Sequence, residues 1–429
     1  MAAPTPLVLQ GLISQMKRRS QLMATFLGVW SLLTSHAALS AEPHKVELGI
    51  DVLLGPDSPY LELVAGKRVG LITNPSGVDG NLVPTVDRLA ADPRLSLVRL
   101  FGPEHGIRGE VPAGETVADG RDPKTGVAVV SLYGKEKRPS KTALADVQVI
   151  LFDIQDVGSR TYTYISTLGE ALHACAATHL PLVVLDRPNP LGGLNFEGML
   201  VEERFRSFIG WGPVPVTHGM TLGEVGRYFN DQLGIGCDLR VVPMRGWRRT
   251  MSWDDTGLIW SITSPHVPSA TQAYLYTTTG MVAATVKDIN EGVGSTMPFE
   301  IVGGTFLEAT RLEEALQALQ LPGVLFQAIH YKPFYGRYRD TPMQGVRLRI
   351  TNPSNYRPLR TAVAILATLR KLYPERIAFR DDRALGTHWG DLNLRRQLEA
   401  GMDSAEIANS WHEATQDFAT ARQRALLYD

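Results

Sequence analysis

Cysteine is scarce: 429 residues hold two, Cys175 and Cys237. Neither belongs to a Cys-x-x-Cys pair, which excludes a zinc-thiolate site and a dithiol redox motif. Cys175 falls in an apolar helical pattern, so both thiols are read as buried small hydrophobes rather than as a disulfide. Histidines do not recur at His-x-x-x-His or similar ligand spacing, so neither a metal nor any other cofactor is expected. No Gly-x-Gly-x-x-Gly turn follows the first apolar strand, and no Walker-type Gly-x-x-x-x-Gly-Lys-Ser/Thr run occurs, so nicotinamide and nucleotide chemistry lack their phosphate cradles. A Gly-x-Ser-x-Gly elbow is absent as well. The formal net charge is only -1. No broad basic surface follows from it, and nucleic acid is not an expected partner.

What is present begins with a targeting pattern. Lys17, Arg18 and Arg19 precede an apolar run, Leu22 to Leu33, and the small residues Ala37-Ala38-Leu39-Ser40-Ala41 follow. This reads as a signal peptide over residues 1–41, with Met16 as a candidate true start. The run is too short to span a bilayer, which takes roughly 20 apolar residues. An exported mature chain without a stable membrane span is expected, periplasmic or secreted.

From about Val46 short apolar runs alternate with helical patterns. Lys67 to Thr73, Leu95 to Phe101, Val147 to Ile154, Leu182 to Asp186 and Leu239 to Pro243 read as strands. Asn81 to Ala91, Ser166 to Thr178 and Thr221 to Gln232 read as helices, the last opened by a Thr221/Glu224 capping box. Apolar strands alternating with helices predict an α/β fold, a Rossmann-like, mostly parallel sheet over residues 45–264. Residues 265–429 change texture and predict a smaller C-terminal α+β domain. Ser269 to Gly304, rich in Thr and Gly, shows few clear elements.

Three polar clusters follow strand ends, where ligands sit in open parallel sheets. Phe101-Gly102-Pro103-Glu104-His105-Gly106-Ile107-Arg108-Gly109-Glu110 brackets an acid and an imidazole with turn residues. Glu104 suits general acid work there. Asp153 and Asp156, followed by Arg160, Tyr162 and Tyr164, follow the most apolar strand. The aspartates can orient a water or an amide, Arg160 can grip a carboxylate, and the tyrosines can stack on a sugar. Asn189, in the loop from Asp186 to Gly193, is a candidate hydroxyl or amide binder, although taken alone that loop reads better as a structural turn. His218 and His266 complete the polar set.

Taken together these runs resemble the NamZ-type exo-β-N-acetylmuramidases, glycoside hydrolase family 171, formerly a domain of unknown function. The resemblance rests on Gly49-Ile50-Asp51, Gly70 to Asn74, the Pro-Glu-His-Gly loop, Asp153 to Ser166, Pro188 to Gly193, His218 to Thr221, Pro243 to Arg249 and Leu426-Leu427-Tyr428. It implies removal of terminal N-acetylmuramic acid from the non-reducing end of peptidoglycan fragments, in a cleft between the two domains. Glu104, Asp153 and Asp156 would be catalytic, with a carboxyl group orienting the substrate acetamide. His105, Arg108, Arg160, Tyr162, Tyr164, Asn189, His218, His266 and Glu291 would bind substrate, Arg160 or Arg108 reading the lactyl carboxylate. The expected partners are peptidoglycan-derived saccharides. One departure stands out: Ala283 occupies the place of a family glutamate. The alternative reading is a non-catalytic or specificity-shifted glycan-binding protein on the same scaffold, with Glu291 as the compensating acid.

Overall fold

The computed structural model describes residues 45–109, 115, 118–134 and 136–429. The expected signal peptide, residues 1–41, and Glu110 lie outside the described residues. Lys45–Asp429 form one compact unit built on two sheets.

The first sheet comprises β1 (Arg68–Thr73), β2 (Ser96–Gly102), β3 (Gly120–Arg121), β4 (Ala128–Ser131), β5 (Val149–Asp153), β6 (Leu182–Leu185) and β7 (Leu239–Val242). Their order is β3-β4-β2-β1-β5-β6-β7, and all pairings are parallel except β3 on β4. Its helices are α1 (Gly49–Leu54), α2 (Thr85–Ala91), α3 (Lys141–Leu144), α4 (Tyr164–Thr178) and α5 (Leu222–Gln232).

Successive strand residues enter different cores, which is why the strands are apolar throughout rather than alternating. Ile72, Phe101, Ile150, Phe152 and Val184 pack with Leu168, Leu172, Val225 and Phe229 of α4 and α5. Val69, Leu71, Leu100, Leu151 and Val183 pack on the other face with Ile50 and Leu53 of α1 and Val86 and Leu89 of α2. The predicted Thr221/Glu224 capping box closes the start of α5. The helix expected from Asn81 begins later, at Thr85, because the Asp79 carboxylate accepts from the Asn81 and Val83 amides and holds that stretch as a turn.

The chain runs outward from β1 through β2 to β4, then crosses back to β5 and runs outward the other way. Strand order therefore reverses between β1 and β5, and the crevice above their carboxyl ends is the favoured ligand position in this architecture.

The second sheet is antiparallel, β8 (Ile301–Gly304), β9 (Val324–Tyr331) and β10 (Met343–Ile350), in the order β8-β10-β9. Seven helices belong to this part among the described residues: α6 (Ala270–Thr285), α7 (Ala309–Gln317), α8 (Pro358–Leu372), α9 (Asp382–Trp389), α10 (Asn393–Glu399), α11 (Ser404–Asn409) and α12 (Trp411–Arg422).

Helix α6 departs from expectation, for it fills a stretch read as having few elements. It is buried on most sides, so no one-sided apolar stripe marks it. Ala273 joins the first core, and Leu275, Met281, Val282 and Ala283 join the second. Its threonine hydroxyls donate to carbonyls, Thr278 to Pro358 at 2.8 Å, Thr279 to Phe299 at 2.9 Å and Thr285 to Met281 at 2.6 Å. That satisfies polar groups which otherwise disfavour a buried helix.

The end of the chain returns to the first sheet's surroundings. Phe418 of α12 packs edge-on against Phe196 and Tyr228, and the Tyr428 hydroxyl donates to Asp186 at 2.6 Å.

Candidate active site

Several sequence candidates turn out to be structural ties. Asp153, at the end of β5, is fully buried. Its carboxylate accepts from Arg187 Nε at 2.6 Å, Arg187 Nη2 at 2.9 Å and Thr85 Oγ1 at 2.5 Å. That ion pair clamps the loop after β6 to the end of β5 and commits both Asp153 oxygens to protein donors in place of the water or amide expected there.

Arg160 was expected to grip substrate but is wholly buried, donating from Nη1 to the Met199 and Val214 carbonyls and from Nη2 to the His388 carbonyl, at 2.7–2.8 Å. Burial pulls its pKa down to about 9. It laces the loop after β5 to α9. Arg108 is also committed: Nε donates to Asp122 at 2.8 Å and Nη2 to Asp87 at 2.9 Å. Both departures share a cause. Each arginine satisfies nearby carbonyls or carboxylates that would otherwise be stranded in the fold.

His218 lies in the interior rather than at a surface. Its Nδ1 accepts from the Met220 amide at 3.3 Å, and burial, followed by Arg422 and Arg160, holds its pKa at about 3. Asn189 donates to the Met220 carbonyl and accepts from the Leu191 amide, both at 3.0 Å, so its side chain builds the turn. The Tyr162 and Tyr164 rings meet edge to face at 5.0 Å, and their hydroxyls end on Thr263. They form a floor rather than an exposed sugar platform.

Asp156 is a different case. Oδ1 accepts from the Gly158 amide at 2.7 Å, while Oδ2 is buried without a hydrogen-bond partner. Burial pushes its pKa up to about 7. Gly158 has φ +80°, and a Cβ there would lie 2.3 Å from Asn189 Oδ1, so this crossing of two loops admits only glycine. The adjoining hollow, about 10 Å³, holds no more than one water-sized molecule.

Glu104 stands apart. It follows β2 and is half-buried. Thr163 Oγ1, just before α4, donates to its Oε2 at 3.0 Å. The Tyr133 hydroxyl also bonds Glu104, and burial followed by that bond raises the Tyr133 pKa to about 12. Two hydroxyls from different loops thus fix the carboxyl group. Next to it, His105 is buried with φ +75°, a left-handed conformation costly for a non-glycine residue. His266 lies nearby and stacks on Tyr335 at 6.1 Å between centroids, with burial and then His105 lowering its pKa.

A cavity of about 400 Å³ opens between the two sheets' surroundings, lined among others by Thr161, Tyr276, Ala283, Glu291, Arg380 and His388. Tyr276, on its wall, donates to the Thr161 carbonyl at 3.3 Å. Burial, countered by a hydrogen bond to Thr161, raises the Tyr276 pKa to about 12, with the charges of Glu104, Asp156 and Glu291 adding to it. Burial likewise raises Glu291, against the pull of Arg380 and Arg337. Ala283 presents a methyl group to the same wall. Another hollow, about 380 Å³ and lined by Arg227, Asp231 and Arg424, contains none of the candidate residues.

Of the residues that the sequence reading singled out, Glu291 lines the cavity of about 400 Å³, while Glu104 and His105 follow β2 and His266 stands against Tyr335. That reading missed Tyr133, Tyr276, Arg380 and His388. Thr163 was visible inside the Tyr162-Thr163-Tyr164 run, but Tyr276 lies in a helix without a stripe and Arg380 in a loop without a motif.

A half-buried carboxyl group beyond the strand ends of a parallel sheet, in a chain that also carries an α+β part, is an arrangement that can serve an acid-catalysed hydrolase. The chain belongs to the NamZ family of exo-β-N-acetylmuramidases, and is thereby a glycosidase: the family's N-terminal model matches residues 69–271 and its C-terminal model residues 274–428. It is 42% identical over 393 residues to the peptidoglycan β-N-acetylmuramidase NamZ of Bacillus subtilis strain 168, covering 91% of this chain and 93% of that protein. Two crystal structures of DUF1343 family proteins from Bacteroides fragilis share the fold, each over 90% of this chain and 99% of theirs. One is 36% identical with a TM-score of 0.82, the other 26% identical with a TM-score of 0.68.

Proposed function

We propose that this glycosidase removes terminal N-acetylmuramic acid from the non-reducing end of peptidoglycan fragments, outside the cytoplasm, in cell-wall turnover. The observation that carries the reading is Glu104, half-buried beyond the end of β2, held by Tyr133 and Thr163, with its charge felt by Tyr276 on the wall of the 400 Å³ cavity. Glu104 donates the proton to the departing glycosidic oxygen. Glu291 lines that cavity and serves as the second carboxyl group. Asp153 is released from the catalytic set by its ion pair, and Asp156 positions the loop after β5. His105, next to Glu104 in the chain, and His266, which feels the His105 charge, are assigned to substrate binding. The methyl group of Ala283 leaves space where the family resemblance implies a carboxyl group, which favours a shifted specificity within the same reaction.

Incubation with the disaccharide N-acetylmuramyl-β-1,4-N-acetylglucosamine, followed by mass spectrometry, tests the activity. Both monosaccharides are expected; an intact disaccharide contradicts the reading. Among the described residues no helix is long and apolar enough to cross a membrane. Export is tested separately by fractionating cells that make the full chain, with a processed N-terminus near Glu42 expected and an unprocessed cytoplasmic chain opposing it.

A further inference from the structure

A sugar that carries a carboxylate needs a cation in its site, and the two arginines that the sequence suggested are spent elsewhere. Arg108 is tied to Asp87 and Asp122, and Arg160 to three carbonyls. Arg187, Arg249 and Arg347 are each closed by a carboxylate at 2.6 Å, Asp153, Glu224 and Glu300 respectively. Arg380 differs from all of these. Among the described residues it is the arginine that lines the 400 Å³ cavity, and no carboxylate lies within ion-pair distance of it.

The geometry around Arg380 is built rather than incidental. Val286 and Phe379 form a bridge, Lys287 N donates to the Ala378 carbonyl at 2.8 Å, and Arg380 N donates to the Thr285 carbonyl at 2.9 Å. This fastens the segment before α9 to the end of α6. Arg380 Nε then donates to the Ala283 carbonyl at 2.9 Å. One edge of the guanidinium is thereby fixed to the cavity wall, which sets the plane of the group. The two terminal nitrogens keep their donors for a ligand, and a planar pair of donors matches a carboxylate two for two. The neighbouring methyl groups of Ala283 and Ala284 offer the guanidinium no anion of their own.

We infer that Arg380 recognises the carboxylate of the sugar bound in this cavity, the lactyl carboxylate if the terminal residue is N-acetylmuramic acid. The inference rests on the proposed substrate, and the test separates the two. The probes are the 4-nitrophenyl β-glycoside of N-acetylmuramic acid and its lactyl methyl ester, which lacks the charge. Wild-type enzyme is expected to prefer the acid through KM, and Arg380→Gln to raise KM for the acid about 10- to 100-fold with kcat little changed, the range for a lost charged hydrogen bond. Arg380→Gln should treat acid and ester alike, and Arg380→Lys should recover part of the preference. Calorimetric titration with free N-acetylmuramic acid and its methyl ester gives a readout independent of turnover. If Arg380→Gln discriminates acid from ester as wild type does, the assignment is overturned. If the wild type discriminates through Arg380 but releases no nitrophenol, the assignment stands and the proposed reaction falls.

Discussion

Around the strand ends of the first sheet, Asp153 meets Arg187, and Arg108 meets Asp87 and Asp122. On the second-sheet side, Arg380 and Glu291 share a wall without pairing at ion-pair distance. The same residue types do different work on the two sides. Charges beneath the strand ends are closed on one another and hold loops; charges on the facing wall are left available. A motif rich in acids and arginines therefore marks where a site is, while the groups that bind can come from elsewhere.

The largest effect expected from this contrast is on stability. Asp153→Ala strands a buried Arg187 and should cost about 3–5 kcal/mol, read as a lowered urea midpoint. A change below about 1 kcal/mol would dissolve the distinction between the two sides. The facing wall should behave in the opposite manner. Glu291→Gln is expected to lower kcat/KM about 10²- to 10⁴-fold, the usual contribution of a positioned acid or base, while leaving the urea midpoint close to wild type. A destabilised variant with unchanged kinetics would make Glu291 another tie.

A further effect is a pH slope within the first-sheet side. Asp156 has its pKa raised by burial from 3.8 to about 7, so between those values the native state keeps a proton that the unfolded chain releases. Stability from this group is full below pH 3.8 and declines as pH rises toward 7. His218 has its pKa lowered from 6.5 to about 3, and contributes in the other sense: its stability is full above pH 6.5 and is lost as pH falls toward 3. Asp156→Asn should remove the first slope and leave the second, giving a stability that rises more steeply from pH 4 to 6.5. An unaltered profile would contradict the burial of an uncharged Asp156.

Much of the first sheet was legible because its strands are short, apolar and separated by turn residues, and because the Thr221/Glu224 cap announces a helix start. Strand β3 and helix α3 were not, being two and four residues long. Helix α6 was hidden because burial on most sides erases the stripe from which helices are read. Glu104 was legible from its loop: glycine, proline and a feeding strand. Arg380 was not, because nothing local distinguishes an arginine whose neighbours lack a carboxylate from one that is paired across space. The same blindness explains Arg160, which reads as an exposed binder beside two tyrosines and proves to be among the most deeply buried side chains.

The most direct test of Glu104 as proton donor compares two leaving groups in the Glu104→Gln variant. One substrate is N-acetylmuramyl-β-1,4-N-acetylglucosamine, whose departing alkoxide needs a proton. The other is the 4-nitrophenyl glycoside, whose phenolate leaves without one. The variant is predicted to lose about 10²- to 10⁴-fold in kcat/KM on the disaccharide, the usual contribution of acid catalysis, and far less on the nitrophenyl substrate. Equal losses on both substrates, or a variant that retains most of its disaccharide turnover, would contradict the assignment.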